Sequence, residues 1–181
     1  MSTHRLICRL LGASLVAFGV SQAAAQEGPG LGVAVTPADY APWDISIQPD
    51  GQGLPQGSGN AATGAQIYAV KCVACHGVEG AGQPNDRLVG GQGTLTQLAQ
   101  VRTIGSFWPY ASTVFDYVRR AMPFQAPQSL TNDEVYALTA YLLAQNDIID
   151  DDDVMNARTL ARVRMPNRDG FILAYPQRAD R

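Results

Sequence analysis

The chain has 181 residues, of which 46% are hydrophobic and 16% are charged. This composition is typical of one globular domain with extensions and excludes an intrinsically disordered chain. Because the formal net charge is −3, the basic surface that nucleic acids require is not expected, and a nucleic-acid partner is excluded.

The first 25 residues have the pattern of a secretory signal peptide. Arg5 and Arg9 make a basic start, an apolar run extends from Leu10 to Val20, and Ala23-Ala24-Ala25 is a small-residue cleavage pattern. The apolar run is shorter than the roughly 20 residues that span a bilayer. We therefore expect cleavage near Ala25 and a periplasmic protein with no membrane anchor; an uncleaved anchor is the alternative.

Cleavage changes the residues that are available for chemistry. Cys8 and His4 leave with the signal peptide, so the mature chain keeps Cys72, Cys75 and one histidine, His76. It also keeps 11 basic and 16 acidic residues, a net charge of −5. A run of four carboxylates at residues 150–153 is interpreted as a solvated loop rather than a metal site.

The remaining chain divides into three predicted segments. Residues 26–60 are rich in Gly and Pro and predict an irregular N-terminal arm. Residues 61–146 alternate helical patterns with loops and predict an all-α core. Residues 147–181 form a C-terminal tail with some helical character at 154–163. The tail and the arm are expected to dock a partner.

Two helices are predicted in the first part of the core. The first begins after Asn60, a plausible N-cap, and runs into Cys72, with Gly64 and Tyr68 on one face. The second covers about residues 112–121 and ends before a proline.

A third helix and a minor one complete the core. Thr131 and Glu134 have capping-box spacing, and Val135, Leu138 and Leu142 follow as an apolar stripe. A minor helix is expected at residues 95–102. Because no alternating pattern competes with these helices, no strand is predicted in the core.

The chemistry is concentrated in Cys72-Val73-Ala74-Cys75-His76. C-x-x-C-H is the attachment signal for c-type haem, in which the two thiols bind the porphyrin as thioethers and the histidine is the proximal iron ligand. A zinc site would need further Cys or His ligands, which the mature chain lacks. A redox dithiol would be expected in a βαβ context, and the surroundings here are helical.

The sixth iron ligand is expected to be a methionine, since no second histidine is left. Met122 is favoured because it ends a predicted helix directly before Pro123, so that its thioether lies on a loop that can face the porphyrin. Met165, before Pro166, is the competing candidate, and Met155 ranks third.

These features together resemble the class I cytochromes c. The resemblance covers residues 61–146 and rests on Gly64 and Tyr68, C-x-x-C-H, the later Met122-Pro123 and the capped last helix. It implies a class I cytochrome c fold in which the first and last helices cross closely, with Gly64 and Tyr68 against Leu138, Tyr141 and Leu142. The family also uses a proline carbonyl after the motif to orient the proximal histidine. Residues 85–91 contain no proline, so the sequence does not identify the carbonyl that orients His76.

A narrower resemblance extends beyond the core, to the cytochrome subunits of sulfite-dehydrogenase-type molybdenum enzymes and to the SoxD-type subunit of the Sox sulfur-oxidation system. Its matching segments are Trp43-Asp44-Ile45, Asp50-Gly51-Gln52-Gly53-Leu54-Pro55, Gly90-Gly91-Gln92-Gly93-Thr94-Leu95, Gly105-Ser106-Phe107-Trp108-Pro109-Tyr110-Ala111, Ala121-Met122-Pro123-Phe124 and Met165-Pro166-Asn167-Arg168-Asp169-Gly170-Phe171. Some members of that group carry two haems, whereas this chain has one C-x-x-C-H motif.

The narrower resemblance implies an electron relay rather than a catalyst. A molybdenum-containing catalytic subunit would oxidise a sulfur compound and pass electrons to this single haem, from which a downstream periplasmic acceptor takes them. Trp108 and Tyr110 are expected to line the haem pocket, with the Trp108 indole N–H on a haem propionate. Arg119 and Arg120 are expected either to pair with propionates or to be ordinary surface charges.

Three other functions remain open from the sequence. One is a general soluble shuttle for a different dehydrogenase. Another is a haem peroxidase or thiol oxidase whose sixth iron position is open. A haem-based sensor is disfavoured because no signalling domain accompanies the core.

Overall fold

The computed structural model describes residues 31–172 and 174–175. The predicted signal peptide lies outside these residues. The chain divides into two compact units, Met1–Pro42 and Trp43–Arg181. In the first unit the described residues contain a single short helix, α1 (Pro37–Tyr40), whose N-terminus is capped by Thr36 and Asp39.

The second unit is a helical core with a small sheet. Its elements in chain order are β1 (Ser58–Asn60), α2 (Ala61–Lys71), α3 (Val73–His76), a 3₁₀ turn (Val78–Gly80), α4 (Ala111–Ala121), α5 (Asn132–Ala144), β2 (Val154–Asn156) and α6 (Ala157–Leu160). The predicted all-α core over 61–146 is thus confirmed. Among the described residues no helix is both long and apolar enough to cross a bilayer.

Both predicted helix caps are present. The Asn60 side chain accepts a hydrogen bond from the Thr63 amide at 2.9 Å and starts α2. At α5 the Thr131 hydroxyl accepts from the Glu134 amide at 3.2 Å, and the Glu134 carboxylate accepts from the Thr131 amide at 2.8 Å. Each cap satisfies an N–H group that the helix itself leaves without a partner.

Helices α2 and α5 cross at a glycine, as the family resemblance implies. A Cβ placed on Gly64 would lie 2.0 Å from the Ala137 carbonyl oxygen, so only glycine allows this approach. One turn later the Tyr68 ring packs on Tyr141 with their centroids 5.1 Å apart. The crossing fixes the end of α2, where the C-x-x-C-H motif begins.

One expectation about local structure is wrong and another is confirmed only in part. Residues 95–102 form turns rather than a minor helix, because side chains take the backbone groups that a helix would use: the Thr94 hydroxyl accepts from the Val101 amide, and the Gln100 side chain donates to the Leu95 carbonyl. In the tail, the helical character predicted for 154–163 is limited to α6, since 154–156 form strand β2.

The small sheet was not anticipated. Strands β1 and β2 pair antiparallel, with Ser58 opposite Asn156 and Asn60 opposite Val154. A Cβ on Gly59 would meet the backbone of Ala137 at 2.3 Å, so the sheet sits directly on α5. The pairing joins the segment before α2 to the segment after α5.

The tail contributes to the hydrophobic core. Met155, Leu160 and Met165 are 3%, 1% and 1% exposed, and Ile148 and Val163 pack beside them. The segment from 147 to 165 is therefore part of the core rather than an appendage on it. Beyond it, Phe171 and Ile172 are 51% and 94% exposed.

The arm from Trp43 to β1 is held on the core by side chains of α4 and α5. Arg120 donates to the Ile45 carbonyl, Ser112 to the Pro49 carbonyl and Tyr136 to the Pro55 carbonyl, all at 2.8–2.9 Å. These bonds satisfy carbonyl groups that an irregular segment cannot pair by itself.

Candidate haem-binding site

The C-x-x-C-H motif is built on one tight helical turn. Cys72 ends α2, and α3 brings Cys75 and His76 round to the same cavity; the amides of both residues donate to the Cys72 carbonyl at 3.0–3.1 Å. Gly77 then leaves the helix with φ of 74°, and a Cβ there would lie 2.4 Å from the Gly82 carbonyl oxygen. The sharp exit therefore requires glycine.

Both cysteines are free of a disulfide and half-buried. Burial raises the pKa of the Cys72 thiol to about 11, with the neighbouring Cys75 adding to the shift against the opposing effect of Lys71. A redox dithiol has a lowered thiol pKa, because the thiolate is the attacking species. The environment of Cys72 therefore disfavours dithiol chemistry.

The His76 ring is oriented by a backbone carbonyl. Its Nδ1 lies 3.0 Å from the Asp86 oxygen, and since a carbonyl only accepts, the hydrogen bond places the ring proton on Nδ1 and leaves the Nε2 lone pair free for a metal. Asp86 thus fills the role for which the family uses a proline carbonyl. The loop is held in place by the Gly82 and Asn85 amides, which donate to the His76 and Cys75 carbonyls at 2.8 Å.

The motif faces a cavity of about 350 Å³. Its walls are mainly apolar and come from the loop after the motif and from α4 and α5: Leu88, Ile104, Val114, Val118, Leu138 and Leu142. Trp108 and Tyr117 also line it and pack edge to face, with their ring centroids 5.7 Å apart. Tyr110, the other aromatic expected there, instead packs under the Arg168 guanidinium at 4.3 Å.

The two candidate methionines lie in different places. Met122 is the C-cap of α4 and lines the same cavity as His76. Met165 is 1% exposed within the hydrophobic core and is absent from the cavity wall, as is Met155. Among the methionines that the structure describes, only Met122 is therefore placed where its thioether can approach a metal beside His76.

The cationic side chains on the cavity are Lys71, Arg87 and Arg102. Arg119 and Arg120, the arginines singled out from the sequence, do not line it. Arg120 is bound to Asp116 at 2.8 Å and to the Ile45 carbonyl. The four-residue spacing of Asp116 and Arg120 on one helix predicts this ion pair. No local sequence pattern predicts that Arg87 and Arg102 line the cavity.

The residues present fit a covalently bound haem. Two thiols on one helical turn, an imidazole with its Nδ1 fixed by a carbonyl, an apolar cavity and a thioether on its wall form a donor set suited to a porphyrin iron. Carboxylates are few on the wall, where Asp86 is the single acidic residue. A hard divalent cation would require several.

Comparison with known proteins agrees with this site. Residues 61–146 match the family described as Cytochrome c. A chain in the crystal structure of the sulfane dehydrogenase SoxCD from Paracoccus pantotrophus is 45% identical, with a TM-score of 0.74, covering 83% of this chain and 73% of that one.

Weaker similarity links the chain to the thiosulfate dehydrogenase TsdBA from Marichromatium purpuratum. That chain is 24% identical with a TM-score of 0.36, covering 50% of this chain and 20% of that one, and no conclusion rests on it. Among curated proteins none gives a significant match. The family match and the 45% identity, together with the cavity around Cys72, Cys75 and His76, show that this chain belongs to the cytochrome c family, whose haem c is covalently bound.

Proposed function

We propose that this chain is a periplasmic electron-transfer subunit that accepts electrons from a molybdenum-containing, sulfur-oxidising catalytic subunit and passes them to a downstream acceptor. The observation that carries the proposal is the 45% identity to a chain of the sulfane dehydrogenase SoxCD, which extends over 83% of this chain. The similarity therefore reaches well beyond the core that any cytochrome c needs.

The cysteines of the sequence support the assignment of catalysis and electron transfer to different subunits. A sulfite-oxidase-type molybdenum site takes a cysteine ligand, and the only two cysteines after the predicted signal peptide are those of the C-x-x-C-H motif. Both are committed to haem attachment. The metal that oxidises the sulfur compound therefore belongs to a partner, and this chain acts as the relay.

The side chains around the cavity suit one-electron transfer. When bound, haem supplies an iron that changes oxidation state by one electron. His76, fixed by the Asp86 carbonyl, and Met122, at the end of α4, are the residues that would hold that iron. A thioether is a weak ligand that favours the reduced iron and raises the reduction potential. The apolar walls would keep water away from the bound group.

The proposed docking surface includes the exposed end of the tail. Phe171 is half exposed yet packs edge to face on Phe107, with centroids 5.3 Å apart, and Asn167 donates to the Phe107 carbonyl at 2.8 Å. Phe107 directly precedes the cavity residue Trp108. A partner that contacts Phe171 and Ile172 would thus sit close to the cavity rim.

The experiment is a purification of the tagged mature protein from its native periplasm. The pull-down is assayed for molybdenum and for reduction of the haem by sulfite or a persulfide. We expect molybdenum to co-purify and the haem to be reduced only when substrate is present. A tagged cytochrome c of another family, expressed in the same cells, provides the background.

If molybdenum is absent and neither sulfur compound reduces the haem, the partner assignment is wrong. The protein would then be a general cytochrome c shuttle for another dehydrogenase. Its membership of the family and its covalent haem would be unaffected by that result.

A further inference from the structure

Asn146 is a buried polar residue just beyond the end of α5, with 2% of its surface exposed. All of its side-chain polar atoms are used. The Oδ1 atom accepts from the Gly90 amide at 2.9 Å, and the Nδ2 atom donates to the Leu88 carbonyl at 3.3 Å and to the Leu142 carbonyl at 2.8 Å. One side chain thus joins the last helix to the loop that follows the C-x-x-C-H motif.

The residues around Asn146 fix its position and that of the loop. Its backbone carbonyl accepts from the Gln92 side chain at 3.2 Å. A Cβ on Gly105 would lie 2.2 Å from the Asn146 Oδ1 atom, so a glycine is required where this chain segment passes. Thr103 donates to the Gly90 carbonyl and holds the same loop from the other side.

The loop that Asn146 holds also orients His76. Asp86, whose carbonyl oxygen lies 3.0 Å from His76 Nδ1, is two residues before Leu88. Asp86 is exposed. Its position therefore depends on where the loop is fixed on either side of it. The Asn85 amide holds it on the Cys75 carbonyl before Asp86, and Leu88 and Gly90 hold it after Asp86. The Leu88 amide donates to the Gly80 carbonyl at 2.8 Å, and the Leu88 carbonyl also accepts from the Ile104 amide at 3.2 Å.

We infer that Asn146 is a positioning residue for the proximal ligand: by fixing Leu88 and Gly90 it keeps the Asp86 carbonyl on His76 Nδ1–H. The inference rests on the proposed ligation of the haem iron by His76. Asn146, which lies outside the cavity, would thereby influence the strength of that hydrogen bond. The hydrogen bond in turn affects how strongly the imidazole donates electrons to the metal. The inference is independent of the identity of the redox partner.

The first test replaces Asn146 by leucine in the haem-loaded protein. Leucine has the same number of side-chain heavy atoms in the same branched arrangement but makes none of the three side-chain hydrogen bonds. We expect the His76 Nδ1 proton, observed by NMR in the reduced state, to exchange with solvent at least about tenfold faster, because the loss of buried hydrogen bonds raises the population of the open loop.

Thr139→Val is the matched control. Thr139 is also buried on α5, is 0% exposed, and donates one hydrogen bond to the Val135 carbonyl, away from the loop. This variant loses one buried hydrogen bond and should lower the global stability, while the His76 proton keeps its exchange rate. If both variants change the exchange equally, or if Asn146→Leu leaves it unaltered, the positioning role is wrong.

A second measurement needs no variant and serves if Asn146→Leu fails to fold. In the unaltered protein, the Gly90 amide and the His76 Nδ1 proton should exchange through one local opening, with the same dependence on low denaturant concentration. Independent exchange of the two protons would overturn the inference. If the unaltered protein shows no ring proton of an iron-bound histidine at all, the fault lies in the proposed ligation and not in the role of Asn146.

Discussion

Met122 lines the cavity beside His76 and is the proposed second residue to bind the haem iron. Replacing it by alanine removes the thioether from the cavity wall. We expect Met122→Ala to bind carbon monoxide and cyanide at once, to lose the sulfur-to-iron charge-transfer band and to have a lower reduction potential. The unaltered protein should resist both ligands, which would also exclude a peroxidase or thiol oxidase with an open site.

Met165→Leu is the control for that experiment. Met165 is buried in the core away from the cavity, and the swap conserves volume, so it should cost less than about 1.5 kcal/mol of stability and leave the spectrum unchanged. An open iron site in Met165→Leu, with a normal spectrum in Met122→Ala, would reverse the ligand assignment.

Arg102 is expected to tune the reduction potential through its charge. It lies on the cavity wall and is held over the Phe107 ring at 5.3 Å. A cation there favours the reduced haem and can pair with a propionate. Arg102→Gln should lower the potential by roughly 40 mV, equivalent to about 1 kcal/mol for one electron. Arg119→Gln, whose side chain is off the cavity, should leave the potential within error; equal shifts would contradict the assignment.

These residues show what a local sequence pattern can reveal. C-x-x-C-H has a fixed spacing with one dominant chemistry, and Met122 was favoured because Pro123 ends its helix. Arg87 and Arg102 escaped prediction because their approach to the cavity depends on the path of a loop between Gly77 and Tyr110. Asp86 escaped for a related reason, since any residue can offer a backbone carbonyl.

At the scale of elements, the α2–α5 crossing is the most constrained contact. In an isolated helix Gly64→Ala would be stabilising by about 1 kcal/mol. Here the added methyl would lie 2.0 Å from the Ala137 carbonyl oxygen and 2.7 Å from the Tyr141 Cβ. We therefore expect the opposite sign, a loss of roughly 2 kcal/mol or more in chemical denaturation of the haem-loaded protein.

Ala62→Gly provides the comparison, because Ala62 is exposed on the same helix. It should cost at most about 1 kcal/mol through helix propensity alone, because Ala62 lies in the first turn of α2. A Gly64→Ala protein as stable as the unaltered one would mean that the helices can separate without loss, against the close approach described above.

The start of α5 should make stability depend on pH. The hydrogen bond from Lys71, at 2.7 Å, and that from the Thr131 amide lower the pKa of Glu134 below its ordinary value of 4.5. A lowered carboxyl pKa stabilises the fold above pH 4.5, and this stabilisation is lost as the pH falls through the lowered pKa. Glu134→Gln keeps the cap but not the charge.

We expect Glu134→Gln to be less stable than the unaltered protein by about 0.5 kcal/mol at pH 7, since the ion pair is partly exposed. The difference should shrink as the pH is lowered below 4.5 in a series of denaturation curves. Lys71→Gln should show the same convergence. A difference that does not vary with pH would contradict the role of the charge.

The elements that were predicted correctly are those with strong local signals. Asn60, Thr131 and Glu134 mark helix starts through side-chain chemistry, and the apolar stripe of α5 has helical period. Strands β1 and β2 have three residues each, which is too short for an alternating pattern, and their pairing joins distant parts of the chain. The 95–102 turn was missed because the side-chain bonds of Thr94 and Gln100 override helix propensity.

At the scale of the whole molecule, the tail has two parts with different roles. Ending the chain after Gly170 keeps Met155, Leu160 and Met165 in the core. We expect this shorter protein to fold, to keep its haem spectrum and to bind the catalytic partner more weakly, because Phe171 and Ile172 are lost. Binding is measured by pull-down or surface plasmon resonance with the purified partner.

Removing all of 147–181 should have a different result. It deletes β2 and three buried side chains, each worth about 2–5 kcal/mol when truncated in a core, so the fold itself should fail or bind haem poorly. Unchanged partner binding after the shorter truncation would move the docking surface elsewhere. A stable, spectrally normal protein after the longer one would contradict the packing of the tail.

The strand pair β1–β2 also has a consequence for modularity. Because Asn60 lies opposite Val154, the two ends of the segment that carries the cavity wall lie at neighbouring points. A domain whose entry and exit coincide can be carried as an insert within a larger polypeptide, or be circularly permuted, without stretching its interior. Every residue of the cavity wall lies between those two points. An insertion beyond Met165 would therefore leave both the cavity wall and the buried tail residues uninterrupted.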